Sequence, residues 1–401
     1  MAELAETVLV HRASMQDATA THAASKALVP LATVNLEAWR ALADRAVEPN
    51  GYYLPDWALA LDASARDRSN SSAIGAWRDA RLTGLLPVIS LWRAYKIPLP
   101  ALVAAEPYGT LCTPLLDREQ AEAAAFELMS QARAAGAHAL LLRAVALDGA
   151  AMRALREELR RDGLRPTLLQ SHLRASLDAT RDADELLQEA LGAKKLKELR
   201  RQRNRLAGHG AVRFDVARTP QDVASALETF LALEARGWKA KRGTALAQDE
   251  GDAAFIRRAT VALAATGQCE IISLFAGEVP VAAGIVLRHG DRAFFFKLGV
   301  DERFAKYSPG VQLTLELTRH LCADPKISFA DSTAAPDHPM INPIWRGRLA
   351  IGDVLIPLGR RDLVVPMIRA ALALRQAIRE PARRTVHLLR RRREGRQEKS
   401  A

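Results

Sequence analysis

Residues 294–313 read Phe294-Phe295-Phe296-Lys297-Leu298-Gly299-Val300, then Asp301-Glu302-Arg303-Phe304-Ala305-Lys306, then Tyr307-Ser308-Pro309-Gly310-Val311-Gln312-Leu313. The first seven residues have the composition of a strand, the next six that of a polar loop, and the last seven form a small-residue turn that opens a helix. A strand running through a loop straight into a helix leaves the helix's first backbone N–H groups unpaired and aimed outward. The positive end of the helix dipole lies behind them. Such a junction can seat a pyrophosphate. Gly310 permits close backbone approach to an anion, and Pro309 stands where a missing N–H costs little. Arg303 and Lys306 add positive charge. Taken alone, the four residues from Tyr307 to Gly310 also describe an ordinary helix start, so the surrounding element order has to decide.

Three strand-like runs, 269–275, 281–287 and 292–298, are divided by turns at Gly277-Glu278 and His289-Gly290-Asp291, which makes an antiparallel meander. Ahead of it the pattern gives a helix over 182–206 ended by Gly208 and Gly210, and a strand over 212–216. Helices follow over 221–236, capped at Thr219 with Pro220 at its first position, and over 252–265. Behind it come a helix over 311–322 and a strand over 327–331. The preceding residues read as two short helices within 36–61 broken at Pro49-Asn50-Gly51, strands over 73–77 and 82–92, and a helix over 118–135. A strand over 139–145, a helix over 150–161 and a strand from about 165 complete them. Both halves share the order hairpin, helix, strand, which hints at duplication. The expected organisation is a mobile arm (1–30), an α/β domain (31–180), a second α/β domain (181–358) and a basic helical tail (359–401).

Hydrophobic residues make up 49% of the 401-residue chain and charged residues 26%, the balance of a globular protein with sizeable cores. The formal charge of +11 is concentrated in the tail. Residues 360–401 hold 13 basic and 4 acidic side chains, or +9, which leaves +2 for all the rest. Within the tail, Leu363, Val364, Met367, Ile368, Ala371, Leu372 and Leu374 form an apolar face that suits either packing on the second domain or docking on anionic membrane. A second basic run, 194–205, carries seven Lys and Arg against Glu198. Leu196, Leu199 and Leu206 anchor one face of that helix, and no nucleic-acid-binding motif accompanies it, so nucleic acid is not an expected partner. Cys112, Cys269 and Cys322 form no CxxC pair, so neither a disulfide framework nor a metal site is expected. The acidic start Met1-Ala2-Glu3-Leu4-Ala5-Glu6 and the lack of a long apolar run point to the cytoplasm, with the inner membrane face as a peripheral option.

The meander, Tyr307-Ser308-Pro309-Gly310 and the following helix and strand resemble the acyl-CoA core of GNAT acetyltransferases. The resemblance covers about 194–348, including Leu196-Lys197-Glu198-Leu199-Arg200-Arg201 and Glu234-Ala235-Arg236-Gly237-Trp238-Lys239. It is nearest the CelD-like branch associated with cellulose and exopolysaccharide biosynthesis, itself related to the FemAB aminoacyl transferases. The FemAB comparison implies that 36–178 is a second, degenerate GNAT fold. What the resemblance implies is transfer of an acyl, typically acetyl, group from acyl-CoA to an amine, such as that of a small molecule, amino sugar or polysaccharide precursor. The pantetheine would pair near Phe296, Leu298 and Val300, and the pyrophosphate would lie at Lys306, Ser308, Gly310, Val311 and Gln312. The usual phosphate loop has a second small residue where this chain has Gln312. A non-catalytic scaffold of an exopolysaccharide system, a polysaccharide synthase as partner, and a FemAB-like aminoacyl donor are the alternatives.

Transfer from a thioester needs a base for the amine, donors for the oxyanion and a route for the leaving thiolate's proton. Glu234, Asp331 and His338 are the base candidates. Each has an ordinary reading beside it: a solvated helix charge, a strand-end cap, and a loop imidazole facing water. Tyr307 is a proton donor or a packing aromatic. Trp238 and Lys239, followed by Lys241 and Arg242, form a basic aromatic patch able to grip a phosphate on the acceptor.

Overall fold

The computed structural model describes residues 27–65, 70–106, 108–109, 111–237 and 243–378. Its first half runs β1 (Val29–Pro30), α1 (Leu36–Asp44), α2 (Pro55–Ser64), β2 (Ser72–Arg78), β3 (Arg81–Ser90), α3 (Leu91–Tyr95), β4 (Ala101–Ala104) and β5 (Leu115–Leu116). It ends with α4 (Ala121–Ala134), β6 (Ala139–Ala146), α5 (Ala150–Arg161) and β7 (Thr167–Asp178). The second half runs α6 (Ala183–Leu206), β8 (Val212–Ala217), α7 (Pro220–Arg236), α8 (Glu250–Ala265), β9 (Cys269–Ala276), β10 (Val279–His289), β11 (Arg292–Val300), α9 (Pro309–Cys322), β12 (Phe329–Asp331) and β13 (Gly347–Pro357). Side-chain caps fix several starts, as the sequence pattern requires: Asn35, Thr219 and Asp249 each accept an N–H from the first turn of α1, α7 and α8.

All strands but β5 lie along one continuous sheet in the order β1-β2-β3-β4-β6-β13-β7-β12-β11-β10-β9-β8, with β5 pairing β3. That order is a palindrome of the two halves. β4 pairs parallel with β6 just as β11 pairs with β12. Each half's last strand crosses to the other: β7 pairs antiparallel with β12, and β13 pairs antiparallel with β6. The two exchanged strands pair with each other on the pseudo-two-fold axis. The largest buried cluster is shared by both halves, with Trp57 of α2 edge-on to Phe255 of α8 at 4.9 Å and to Phe296 of β11 at 5.0 Å.

Several expectations change. Residues 29–30 of the expected arm pair with Ala73 and Ser72 as β1, and residues 1–26 lie outside the described ones. The strand expected to reach Trp92 ends at Ser90, whose hydroxyl accepts the Arg93 N–H and starts α3. The helix expected over 182–206 breaks at Gly192, which has φ 72°. β4 and β13 had no counterpart in the sequence reading. Residues 364–378 are helical, but Ile368 and Leu372 pack on Leu91, Val103 and Leu141 of the first half and on Leu355 of β13, not on the second domain's core.

Candidate active site

On β11, Ile285 of β10 faces Lys297 while the next residue, Val286, faces Phe295, so Phe296 is an inserted residue. The resulting β-bulge sends two successive side chains to one side of the sheet. Phe296 packs among Trp57, Tyr52 and Tyr108, and Lys297 donates to Glu234 Oε1 at 3.3 Å with its ammonium 5.6 Å from the Tyr108 ring centroid. Phe295, Leu298 and Val300 turn to the other side, toward α9.

β11 and β12 hold only three register pairs, Arg292–Phe294 against Phe329–Asp331. One more link, from Thr333 Oγ1 to the Phe295 carbonyl at 2.6 Å, closes the shared edge. Beyond it the strands part around a cleft of about 970 Å³, walled by β11, the start of α9, and the segment from Ser332 to Ile341. Ser308, in the left-handed region at φ 54°, precedes α9 without a side-chain cap bond. The first i→i−4 bond of the helix is Gln312 N–H to the Ser308 carbonyl, so the Gly310 and Val311 N–H groups have no intrahelical acceptor. A Cβ on Gly310 would sit 3.1 Å from Leu298 and 3.2 Å from Met340 and Val300, so a side chain there has to press these three cleft side chains aside by a few tenths of an ångström.

Of the residues expected at the cofactor, Phe296, Leu298, Val300, Ser308, Gly310 and Val311 line this cleft. Lys306 and Gln312 are not among the lining residues. The Lys306 ammonium stands 5.0 Å over the Tyr307 ring, and Gln312 is buried with its amide donating to the Leu199 carbonyl at 2.8 Å, fastening α9 to α6. Tyr307 is buried off the cleft wall, its hydroxyl 3.0 Å from Nε2 of the exposed His209. Trp238 and Lys239 lie outside the described residues.

The three base candidates fall in different settings. Glu234 is buried, with Oε2 accepting the Leu246 N–H at 2.8 Å and Oε1 held by Lys297. Asp331 is buried too, with Oδ2 2.9 Å from Arg174 Nη1 and Oδ1 accepting the Thr333 N–H at 2.7 Å. His338 lines the cleft, and its Nδ1 lies 3.3 Å from the Met340 N–H and 3.4 Å from the Ile341 N–H. Backbone N–H groups can only donate, so Nδ1 is the acceptor and a neutral ring carries its hydrogen on Nε2. The cleft also uses Lys297, Ser332, Thr333 and Met340, which sequence reasoning passed over. A bulge has no periodic signature, so only its flanking phenylalanines marked the place. No cysteine lines the cleft, and burial pushes the Cys112 thiol up to about 12. Among the described residues no cluster of His, Cys, Asp or Glu has the makings of a metal site, and no helix is long and apolar enough to cross a membrane.

Residues 193–337 match the family described as Acetyltransferase (GNAT) domain. The fold is two GNAT-like halves in tandem. Two GNAT-like halves in palindromic order account for the sheet, and the match falls on the half that keeps the cleft. The solved structure of FemX superposes with a TM-score of 0.54 at 11% identity, covering 82% of this chain and 97% of that one. A C-terminal DUF2156 domain from Agrobacterium fabrum gives 0.52 at 14% identity, covering 84% and 96%. L-PGS from Bacillus licheniformis gives 0.50 at 14%, again covering 84% and 96%. At these identities the likeness is one of fold. No curated protein matches in sequence.

Proposed function

We propose that the chain transfers an acyl group from acyl-CoA directly to an amine. The observation that supports this is the cleft that opens beyond Thr333 and runs from the bulge at Phe296 to the uncapped first turn of α9. There the Gly310 and Val311 N–H groups and the helix dipole suit a pyrophosphate, and the edge from Leu298 to Val300 suits the pantetheine. The amine nitrogen attacks the thioester carbon, the C–N bond forms, the C–S bond breaks, and the thiolate takes up the proton that the amine loses through cleft water. Glu234 and Asp331 already hold partners through both carboxylate oxygens. His338, with hydrogen on Nε2, is the side chain we assign to stabilising the charge that develops on the carbonyl oxygen or thiolate. The resemblance to CelD-like proteins supports an amino sugar or polysaccharide precursor as acceptor.

Acetyl-CoA is expected to raise the melting temperature of the wild type. Gly310→Glu should abolish that rise while leaving the circular dichroism spectrum intact, because a carboxylate would occupy the anion's seat. A Gly310→Glu protein that binds as tightly as wild type removes the pyrophosphate site from this position. His338→Ala should lower kcat by about 100-fold with little change in acetyl-CoA affinity, and His338→Gln should recover part of it. The resemblance to FemAB aminoacyl transferases gives one alternative donor, an aminoacyl ester in the same cleft. A panel in which no acyl-CoA shifts the melting temperature would favour that donor, or a scaffold role.

A further inference from the structure

Only Arg369, Arg375 and Gln376 are polar in the helix 364–378. Its inner side, Ile368 and Leu372, is buried against the first half. The opposite side is uncovered, with Met367, Leu374 and Ile378 57%, 63% and 64% exposed, and Leu363, just before the helix, 83% exposed. At helical spacing these four fall within an arc of about 60°. α3 lies alongside, its Tyr95 ring 4.1 Å from the Arg375 guanidinium, and one turn earlier it presents Trp92, 55% exposed. A helix with one apolar side packed and the other apolar side in water is incomplete as a surface element.

The charge around this face says what completes it. Arg360 and Arg361, just before the helix, have no ion-pair partner among the described residues, and residues 379–401 add nine Lys and Arg against Glu380, Glu394 and Glu398. We propose that this face docks the protein on an anionic lipid bilayer. The side chains of Leu363, Met367, Leu374 and Ile378 enter the boundary of the acyl chains, Trp92 lies at headgroup level, and the arginines meet lipid phosphates. A second copy of the chain is the poorer occupant. It would set the unpaired arginines and the basic continuation of one molecule against those of the other, a like-charge contact that an anionic surface relieves.

The test is sedimentation of the full chain with vesicles of equal parts phosphatidylglycerol and phosphatidylcholine, and with phosphatidylcholine alone. The wild type should sediment with the anionic vesicles and be released by salt. The double variant Met367→Asp, Leu374→Asp should bind them more weakly by about tenfold or more, with unfolding unchanged because both side chains already stand in water. Three results would overturn the proposal. One is no sedimentation with anionic vesicles, or equal sedimentation with the neutral ones. Another is undiminished binding by the double variant, which would leave the arginines acting alone. The third is light scattering that shows a wild-type dimer and a monomeric variant, which would give the face to a second copy.

Discussion

The two halves of the sheet share their topology and differ at the one place where each has its parallel strand pair. In the first half, β4 and β6 hold three register pairs, Ala101–Val103 against Ala139–Leu141, matching the three of β11 and β12. Past that point the first half is filled. Leu111, Cys112 and Thr113 are buried between the strand ends, with the Cys112 N–H donating to the Ala144 carbonyl and its thiol lying 3.9 Å from the Ala105 carbonyl. Past the same point the second half is open. The last paired position differs as well: Leu141 meets Leu355 of the exchanged β13, whereas Asp331 meets Ser176 of the exchanged β7, beside Arg174. An apolar seal closes one half, and a buried ion pair edges the cleft of the other.

The largest effect is expected at that ion pair. Asp331→Ala takes the carboxylate from a guanidinium that is 1% exposed, and should cost about 3–5 kcal/mol by denaturant titration. The double replacement Arg174→Leu, Asp331→Leu copies the first half's seal and should recover most of this loss, since an apolar pair need not be weaker than a buried ionic one. If the double variant is stable but no longer binds acetyl-CoA, the pair is kept for the site. If it binds normally, the pair is only one way of closing an edge.

Next comes acid stability, where each half has a buried carboxylate held between cations, Glu270 in the second and Asp117 in the first. Burial would raise the Glu270 carboxyl, but the His320 imidazole, Arg288 and Arg218 overcome it and hold it down at about 2, from an ordinary 4.5. In the first half, burial of Asp117 is outweighed by the Glu119 N–H and by Arg81 and Arg45, which lower it as well. A depressed carboxyl gives stability that is complete above its unfolded value and is lost as pH falls through its folded value. Glu270 should therefore contribute up to about 3 kcal/mol above pH 4.5 or so, fading toward pH 2. Glu270→Gln should flatten that acid limb more than Asp117→Asn does. The reverse ranking would place the acid-sensitive network in the closed half.

How much of this was readable follows from sequence distance. The open half is built from neighbours: β11, the loop and α9 are contiguous, so the strand composition, Ser308-Pro309-Gly310 and the helix pattern marked the cleft with no alignment of halves. β13 was invisible because its partners in β6 and β7 lie about 170 to 220 positions away, and Gly347 and Gly352 interrupt its alternation. β4 directly follows Pro100 and is only four residues long, too short to show a period. The base candidates stand out by residue type, and type says nothing of burial: Glu234 and Asp331 read as ordinary polar positions and prove to be locked in pairs. The bulge that turns Phe296 and Lys297 to one side depends on register with β10, which the sequence does not express.

The smallest effect tests the plug itself. Asn50 holds it in place, its amide donating to the Leu111 carbonyl at 3.3 Å and to the Thr113 carbonyl at 2.9 Å while its oxygen accepts the Tyr52 N–H. Asn50→Ala leaves buried backbone groups without these partners and should cost about 1–3 kcal/mol in a thermal or urea titration. The more telling readout is stoichiometry. Calorimetry should give one acetyl-CoA per chain for the wild type and for Asn50→Ala alike, because the closed half lacks more than space. β3 and β4 pair without a bulge, and the chain after β4 crosses to β5 before reaching α4, so no strand leads straight into a helix start there. A second acetyl-CoA bound by Asn50→Ala would mean that the plug is all that separates the two halves, and that the bulge and the uncapped turn of α9 are not what makes a cleft into a site.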